Sequence, residues 1–174
     1  MGTIDELLAK YEHQAQTYWD FMSQEEREEY AWLAGIIDGE GSIQISYTQG
    51  HRRGQKYFRL ILAVNMTHEA CVGKCLRITC AGSIIRCYTP KMQAAGHRPT
   101  FRWQVADKNA ASILRRCLPF LEAKKQQAIL AIQFQELKAS ESAQETHNLT
   151  PSMWERRKAI KNAIHQLNRG NTLG

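Results

Sequence analysis

Apolar residues recur at helical spacing from the start of the chain. Ile4, Leu7, Leu8, Tyr11, Ala15, Tyr18 and Met22 fall mostly three or four residues apart, behind a capping box from Thr3 to Glu6. The spacing predicts an amphipathic helix of about five turns that needs an apolar surface to dock on. A second capping box, Ser23 to Glu26, predicts a helix running to about Gly39. After Gly41 the period changes to two. Ile43, Ile45 and Tyr47 alternate with Gln44, Ser46 and Thr48, and Phe58, Leu60, Leu62 and Val64 alternate with Arg59, Ile61, Ala63 and Asn65. Two half-buried antiparallel strands follow from that pattern, joined by a basic loop from Gly50 to Gly54.

The same reading continues to the C-terminus. Thr67 is placed to cap a helix through about Ile78. Gly82 to Tyr88 and Thr100 to Ala106 read as a second strand pair, joined by a loop with Pro90, Gly96 and Pro99. Asp107 is placed to cap the next helix, and Pro119 to break or kink it. A further helix runs through Lys124 to about Lys138, and residues 139–150 are polar and linker-like. Thr150-Pro151 is a cap followed by an N1 proline, starting a last helix with Trp154, Ile160, Ile164 and Leu167 as apolar contacts. The predicted class is α+β: an N-terminal helix over 1–24, an αββαββα core over 25–138, and a linker with a helical tail over 139–174. No internal repeat is visible, and 174 residues suit one domain.

Charge sharpens this picture. Residues 1–40 hold ten acids and two bases, whereas residues 41–106 hold ten bases and only Glu69 as an acid. So basic a middle third points to a polyanionic partner, most simply nucleic acid. No apolar run approaches the ~20 residues of a membrane span. The acidic N-terminus has no secretory or transit pattern, and five cysteines without scaffold spacing suit a reducing compartment, so an intracellular protein is expected. His68, Cys71 and Cys75 share a helix face and Cys80 follows, but the spacing is not that of a zinc finger or ribbon. Core cysteines are the better reading.

The chemistry concentrates in Trp32-Leu33-Ala34-Gly35-Ile36-Ile37-Asp38-Gly39-Glu40-Gly41. Ala31, Gly35 and Gly39 recur every fourth residue and form a smooth face on which another helix backbone can lie closely. Gly41 reads as the C′ residue that ends the helix. Asp38 and Glu40 then sit in the last turn, beside free carbonyls and the negative end of the dipole, where an acid is disfavoured by a few tenths to about 1 kcal/mol. A divalent cation reverses that penalty, and carboxylate and carbonyl oxygens are the ligands hard cations prefer.

The nine residues LAGIIDGEG resemble the signature of the LAGLIDADG homing endonucleases, with Glu40 at the position of the metal-binding acid. The αββαββα order resembles the single-motif members over about residues 25–138. The resemblance implies a homodimer packed through Ala31, Gly35 and Gly39, because one chain delivers one carboxylate to a site shared by two. It implies metal binding by Glu40 and the Gly39 carbonyl, usually of Mg2+, with Mn2+ or Ca2+ able to substitute for binding. It implies double-strand cleavage of duplex DNA with short 3′ overhangs. Asp38 matches an acid with a structural role at the helix end. Lys124, with Lys125 as fallback, matches a lysine that reaches the metal-bound water, and His68 matches a polar residue of the same pocket. Where relatives carry an arginine four residues after that position, this chain has Val72.

Sequence reading is expected from the solvent side of the strands: Gln44, Ser46 and Thr48; Tyr57, Arg59, Ile61 and Asn65; Arg86 and Tyr88; Thr100, Arg102 and Gln104. Arginine suits guanine, and Asn or Gln suits adenine. Arg52, Arg53 and Lys56 in the first loop suit phosphates or outer bases. A nine-residue strand spans about 30 Å at ~3.3 Å per residue. At ~3.4 Å per base pair that is about nine pairs, so two chains cover a nearly palindromic site of roughly twenty. Two alternatives share the fold: an RNA-splicing maturase, and a DNA-binding regulator that does not cleave.

Overall fold

The computed structural model describes residues 4–49, 56–142 and 150–170. Thr3, Arg52 and Arg53 lie outside the described residues, as do the side chains of Thr48 and Lys56. Helix α1 (Ile4–Phe21) buries Tyr11 and Ala15, with Met22 just beyond its end. Tyr18, expected on that face, is 45% exposed. The apolar face has turned outward by the last turn, where Trp19 stacks on Phe120 instead. The Arg27 guanidinium covers Trp19 and donates to its carbonyl at 3.0 Å, which fixes the corner into the next helix.

Helix α2 (Gln24–Glu40) starts at the expected capping box. The Glu26 N–H donates to Ser23 Oγ at 3.2 Å, and the Ser23 N–H donates to Glu26 Oε2 at 2.9 Å. It buries Tyr30, Leu33, Ala34 and Ile37, three or four residues apart. The helix passes directly into strand β1 at Gly41, whose φ of −81° is extended rather than left-handed. Gly41 is therefore a close-approach glycine, not the C′ residue expected. A Cβ there would lie 2.5 Å from the Ile37 carbonyl oxygen and 2.7 Å from its Cα.

Strands β1 (Gly41–Gln49), β2 (Lys56–Met66), β3 (Ser83–Cys87) and β4 (Thr100–Ala106) form one antiparallel sheet in the order β1-β2-β4-β3. One face is apolar: Ile43, Ile45, Phe58, Leu60, Leu62, Val64, Trp103 and Val105 are buried under the helices. Trp103 is fully buried and donates from its indole N–H to the Ala81 carbonyl at 2.9 Å. Gly82, at φ +93°, leaves room for that ring, since a Cβ would meet its nitrogen at 2.8 Å.

The helical layer departs from expectation at several ends. Helix α3 (Glu69–Thr79) begins after His68, not after Thr67, and His68 makes no side-chain cap. The β3–β4 connection contains a short helix, α4 (Pro90–Ala94), capped by Thr89. Helix α5 (Asp107–Cys117) is not capped by Asp107, which has φ +52° and turns its carboxylate to Lys138 and Arg59. Pro119 sits in a short 3₁₀ turn, Leu118–Phe120. Helix α6 (Lys125–Ser142) runs into the stretch read as linker. Ala128 to Ile132 are all buried, so this helix is the centre of the layer, with α1, α5, α7 and β1 around it. Thr150 caps α7 (Pro151–Leu167) as its Thr-Pro pair implies, accepting from the Met153 N–H at 3.2 Å.

Glu136 joins three helices, accepting from Tyr11 at 2.6 Å and Arg115 at 3.0 Å. Burial works against its charge, but these hydrogen bonds and Lys10 hold the carboxyl below the usual range. Cys75 and Cys117 are buried, and burial pushes the Cys75 thiol up to about 11. Cys80 is exposed at the end of α3.

Candidate active site and nucleic-acid interface

The end of α2 carries two acids with different surroundings. Asp38 is half-buried, and both of its oxygens are used. Oδ2 accepts from the Glu122 N–H at 2.8 Å, and Oδ1 from the Lys124 N–H at 2.9 Å. Lys124 accepts the first backbone bond of α6, from the Ala128 N–H at 2.9 Å. The Lys124 N–H is thus one of the free N–H groups at the positive end of α6, and the Glu122 N–H lies in the segment leading into it. An acid misplaced at the end of α2 is well placed at the start of α6. The Lys124 ammonium completes the junction by donating to the Asp38 carbonyl. Lys125, the fallback, instead reaches Glu12 of α1 at 3.6 Å.

Glu40 has no such compensation. It is exposed, and among the described residues it makes no hydrogen bond or ion pair. Gly39 beside it is exposed as well. A carboxylate at the negative end of a helix dipole, next to terminal carbonyls, is a hard-oxygen donor set that suits Mg2+. No cluster of three or more His, Cys, Asp or Glu gathers among the described residues. His68 is exposed at the end of the sheet where Gly41 pairs with Val64. Val72 is fully buried in the core, so that position offers no polar group.

The register settles which strand positions share the outer face. Gln44, Ser46 and Thr48 pair with Ile61, Arg59 and Tyr57. Asn65 pairs with Arg102, and Ala63 with Gln104. Across β4, Gln104, Arg102 and Thr100 pair with Ser83, Ile85 and Cys87. Directly paired residues point to the same side, so the outer positions of β3 are Ser83, Ile85 and Cys87. Arg86 pairs with Phe101 on the helix-facing side, and Tyr88 lies past the end of β3, with the Arg86 guanidinium over its ring. Both were expected on the outer face, and the register corrects them by one residue. Periodicity in β3 alone, IIRCY, has no clear alternation from which to choose the parity.

Sequence reasoning also missed what holds Arg59. Its Nε lies 3.6 Å from Asp107 Oδ2, while Asp107 Oδ1 accepts from Lys138 Nζ at 2.8 Å. On the far side of α2, Gly35 and Gly39 are open: a Cβ on either would meet no atom within 4 Å.

No family model matches the sequence, and no curated protein matches it. Solved structures do. The homing endonuclease I-CvuI, in complex with an I-CreI target, matches with a TM-score of 0.69 at 18% identity, covering 87% of this chain and 89% of that one. The LAGLIDADG homing endonuclease I-GzeII, bound to its DNA target, matches at 0.59 and 14%, covering 76% of this chain and 43% of that one. The chain has the LAGLIDADG homing endonuclease fold. The archaeal intron-encoded homing endonuclease I-Vdi141I, complexed with DNA, shares that fold at a TM-score of 0.61 and 13% identity, over 83% of this chain and 85% of its own. The LAGLIDADG fold accounts for α2 leading straight into the sheet, with Glu40 at the joint. No described helix is long and apolar enough to cross a membrane.

Proposed function

We propose that this chain is a site-specific DNA endonuclease that works as a homodimer with Mg2+. The observation that carries the reading is Glu40: an exposed carboxylate with no partner among the described residues, at a helix end beside the anchored Lys124. Two chains meeting along Ala31, Gly35 and Gly39 bring two such ends together, and the symmetry of the pair calls for a nearly palindromic target. Glu40 and the Gly39 carbonyl of each chain would hold the cations. A divalent ion in that setting acidifies water and stabilises the leaving oxygen of a phosphodiester. Lys124, held by α2, faces the scissile phosphate as a fixed positive charge. His68 orients water at the rim. The sheet lies against the duplex, with Arg59 and Arg102 among the groups that read bases, and Arg52, Arg53 and Lys56 contact the backbone. The cut leaves short 3′ overhangs in a site of roughly twenty base pairs.

Val72, a buried apolar residue where relatives carry arginine, favours a second reading in which the chain binds DNA or a structured RNA without cutting it. Selection of cleaved plasmids from a target library separates the two. The wild type should linearise a subset with related sites, and Glu40→Gln should bind those sites without cutting. Tight specific binding with no cleavage by the wild type at any Mg2+ concentration would establish the second reading.

A further inference from the structure

Helix α7 carries a row of cations that neither the sheet nor the end of α2 uses. Trp154, Lys158, Lys161, His165 and Arg169 recur at intervals of three or four residues. At 3.6 residues per turn the four within the helix, Trp154 to His165, fall within an arc of about 60° and span about 17 Å, and Arg169 follows in the turn past the helix end. Lys158 lies over the Trp154 ring at 4.4 Å. Among the described residues none of the four basic side chains forms an ion pair, and Glu155, the only acid of α7, falls outside the arc.

The other two basic residues of α7 behave differently. Arg157 is buried and donates to Glu141 of α6 at 2.8 Å, and Arg156 reaches the same carboxylate at 3.1 Å. They are structural and face α6. At the C-cap of α7, the Asn168 amide donates to the Ile43 carbonyl of β1 at 2.9 Å. Arg157 and Asn168 both fall between the buried Ile164 and the row, so the row begins directly beside the packed face of α7. The C-terminal end of the row therefore lies beside β1, an edge strand of the sheet.

The geometry points to α7 as a second, sequence-independent contact surface that holds the phosphate backbone of duplex DNA flanking the segment read by the sheet. The occupant follows from charge: Lys158, Lys161 and Arg169, without ion-pair partners among the described residues, suit the closely spaced negative charges of a duplex backbone. The inference rests on the duplex-binding part of the proposed function and not on cleavage.

The test is the salt dependence of binding to a 40-base-pair duplex, with and without the target sequence, by wild type and by K158Q/K161Q/R169Q. Each lost phosphate contact reduces the slope of log Kd against log salt by about 0.9, so the triple variant should lose about 2.7 per bound chain. Between 50 and 200 mM salt that difference amounts to about a 40-fold change in relative affinity. Discrimination between target and non-target duplex should stay within about twofold, because phosphate contacts carry no sequence information. R77Q, a charge change on exposed α3 surface, should leave the slope unchanged. An unchanged slope for the triple variant, beside a salt-dependent wild type, overturns the inference and leaves the proposed function intact. A slope change seen only with single-stranded RNA overturns it too. A wild type with no affinity for duplex DNA overturns both.

Discussion

Replacing Asp38 by asparagine alters one atom of a side chain that ties together residues more than eighty positions apart. In the native protein each oxygen accepts one backbone N–H, from Glu122 at 2.8 Å and from Lys124 at 2.9 Å. Hydrogen bonds to a charged acceptor contribute about 1.5–3 kcal/mol each. Asparagine keeps one acceptor and sets an NH2 group against the other N–H. The loss is one charge-assisted bond, the charge on the bond that remains, and a favourable interaction with the α6 dipole of about 0.3–1 kcal/mol. Asp38 is half-buried, so the sum is taken near the low end, at about 2–3 kcal/mol. With a urea m-value of about 2 kcal/mol/M, the unfolding midpoint should fall by about 1–1.5 M. Lys124→Met removes the ammonium's bond to the Asp38 carbonyl and should cost about 1.5 kcal/mol, less than Asp38→Asn, while abolishing cleavage. Asp38→Asn with an unchanged midpoint would refute the anchoring role and return Asp38 to the pool of metal ligands.

Gly41→Ala should destabilise the fold by about 3 kcal/mol, because its Cβ meets the Ile37 backbone at 2.5–3.0 Å; Gly73→Ala, in open space on α3, should instead stabilise by about 0.5–1 kcal/mol. Urea titration of both reads the contrast, and two equal, small effects would count against the close approach. Arg102→Ala should weaken specific binding by about 1–3 kcal/mol and relax one position of each half-site, whereas Arg86→Ala should leave discrimination unchanged. Profiling both variants on a target library checks this, and loss of base discrimination in Arg86→Ala would contradict the register.

What the sequence conveyed, and what it did not, divides by range. Local signals held: Ser23 and Glu26 cap α2, Thr150 and Pro151 start α7, and Phe58, Leu60, Leu62 and Val64 turn inward together. Each depends on neighbours within a few residues. The misplacements involve partners far along the chain. Asp107 looked like a cap because its partners, Lys138 and Arg59, lie tens of residues away. Asp38 looked electrostatically stranded because α6 is invisible from α2. Arg86 was assigned to the wrong face because one residue of register inverts a strand and IIRCY does not fix the parity. The end of α6 was read as linker because its later turns are polar on the exposed side, while Gln135 and Glu141 are buried against other helices. The acid at Glu40 was legible because its signature is local. Its surroundings were not, since only the folded chain shows that Asp38 is occupied and that Glu40 has no partner among the described residues.

The central claim is that two chains build one cleavage site from two copies of Glu40. It is tested most directly by mixing wild type with Glu40→Gln, allowing subunits to exchange, and measuring linearised target plasmid at constant total protein. If both carboxylates are required for a double-strand break, activity follows the square of the wild-type fraction, and an equal mixture retains about one quarter of full activity. A linear dependence, with about one half retained, would mean that each chain cuts alone and would contradict the shared site.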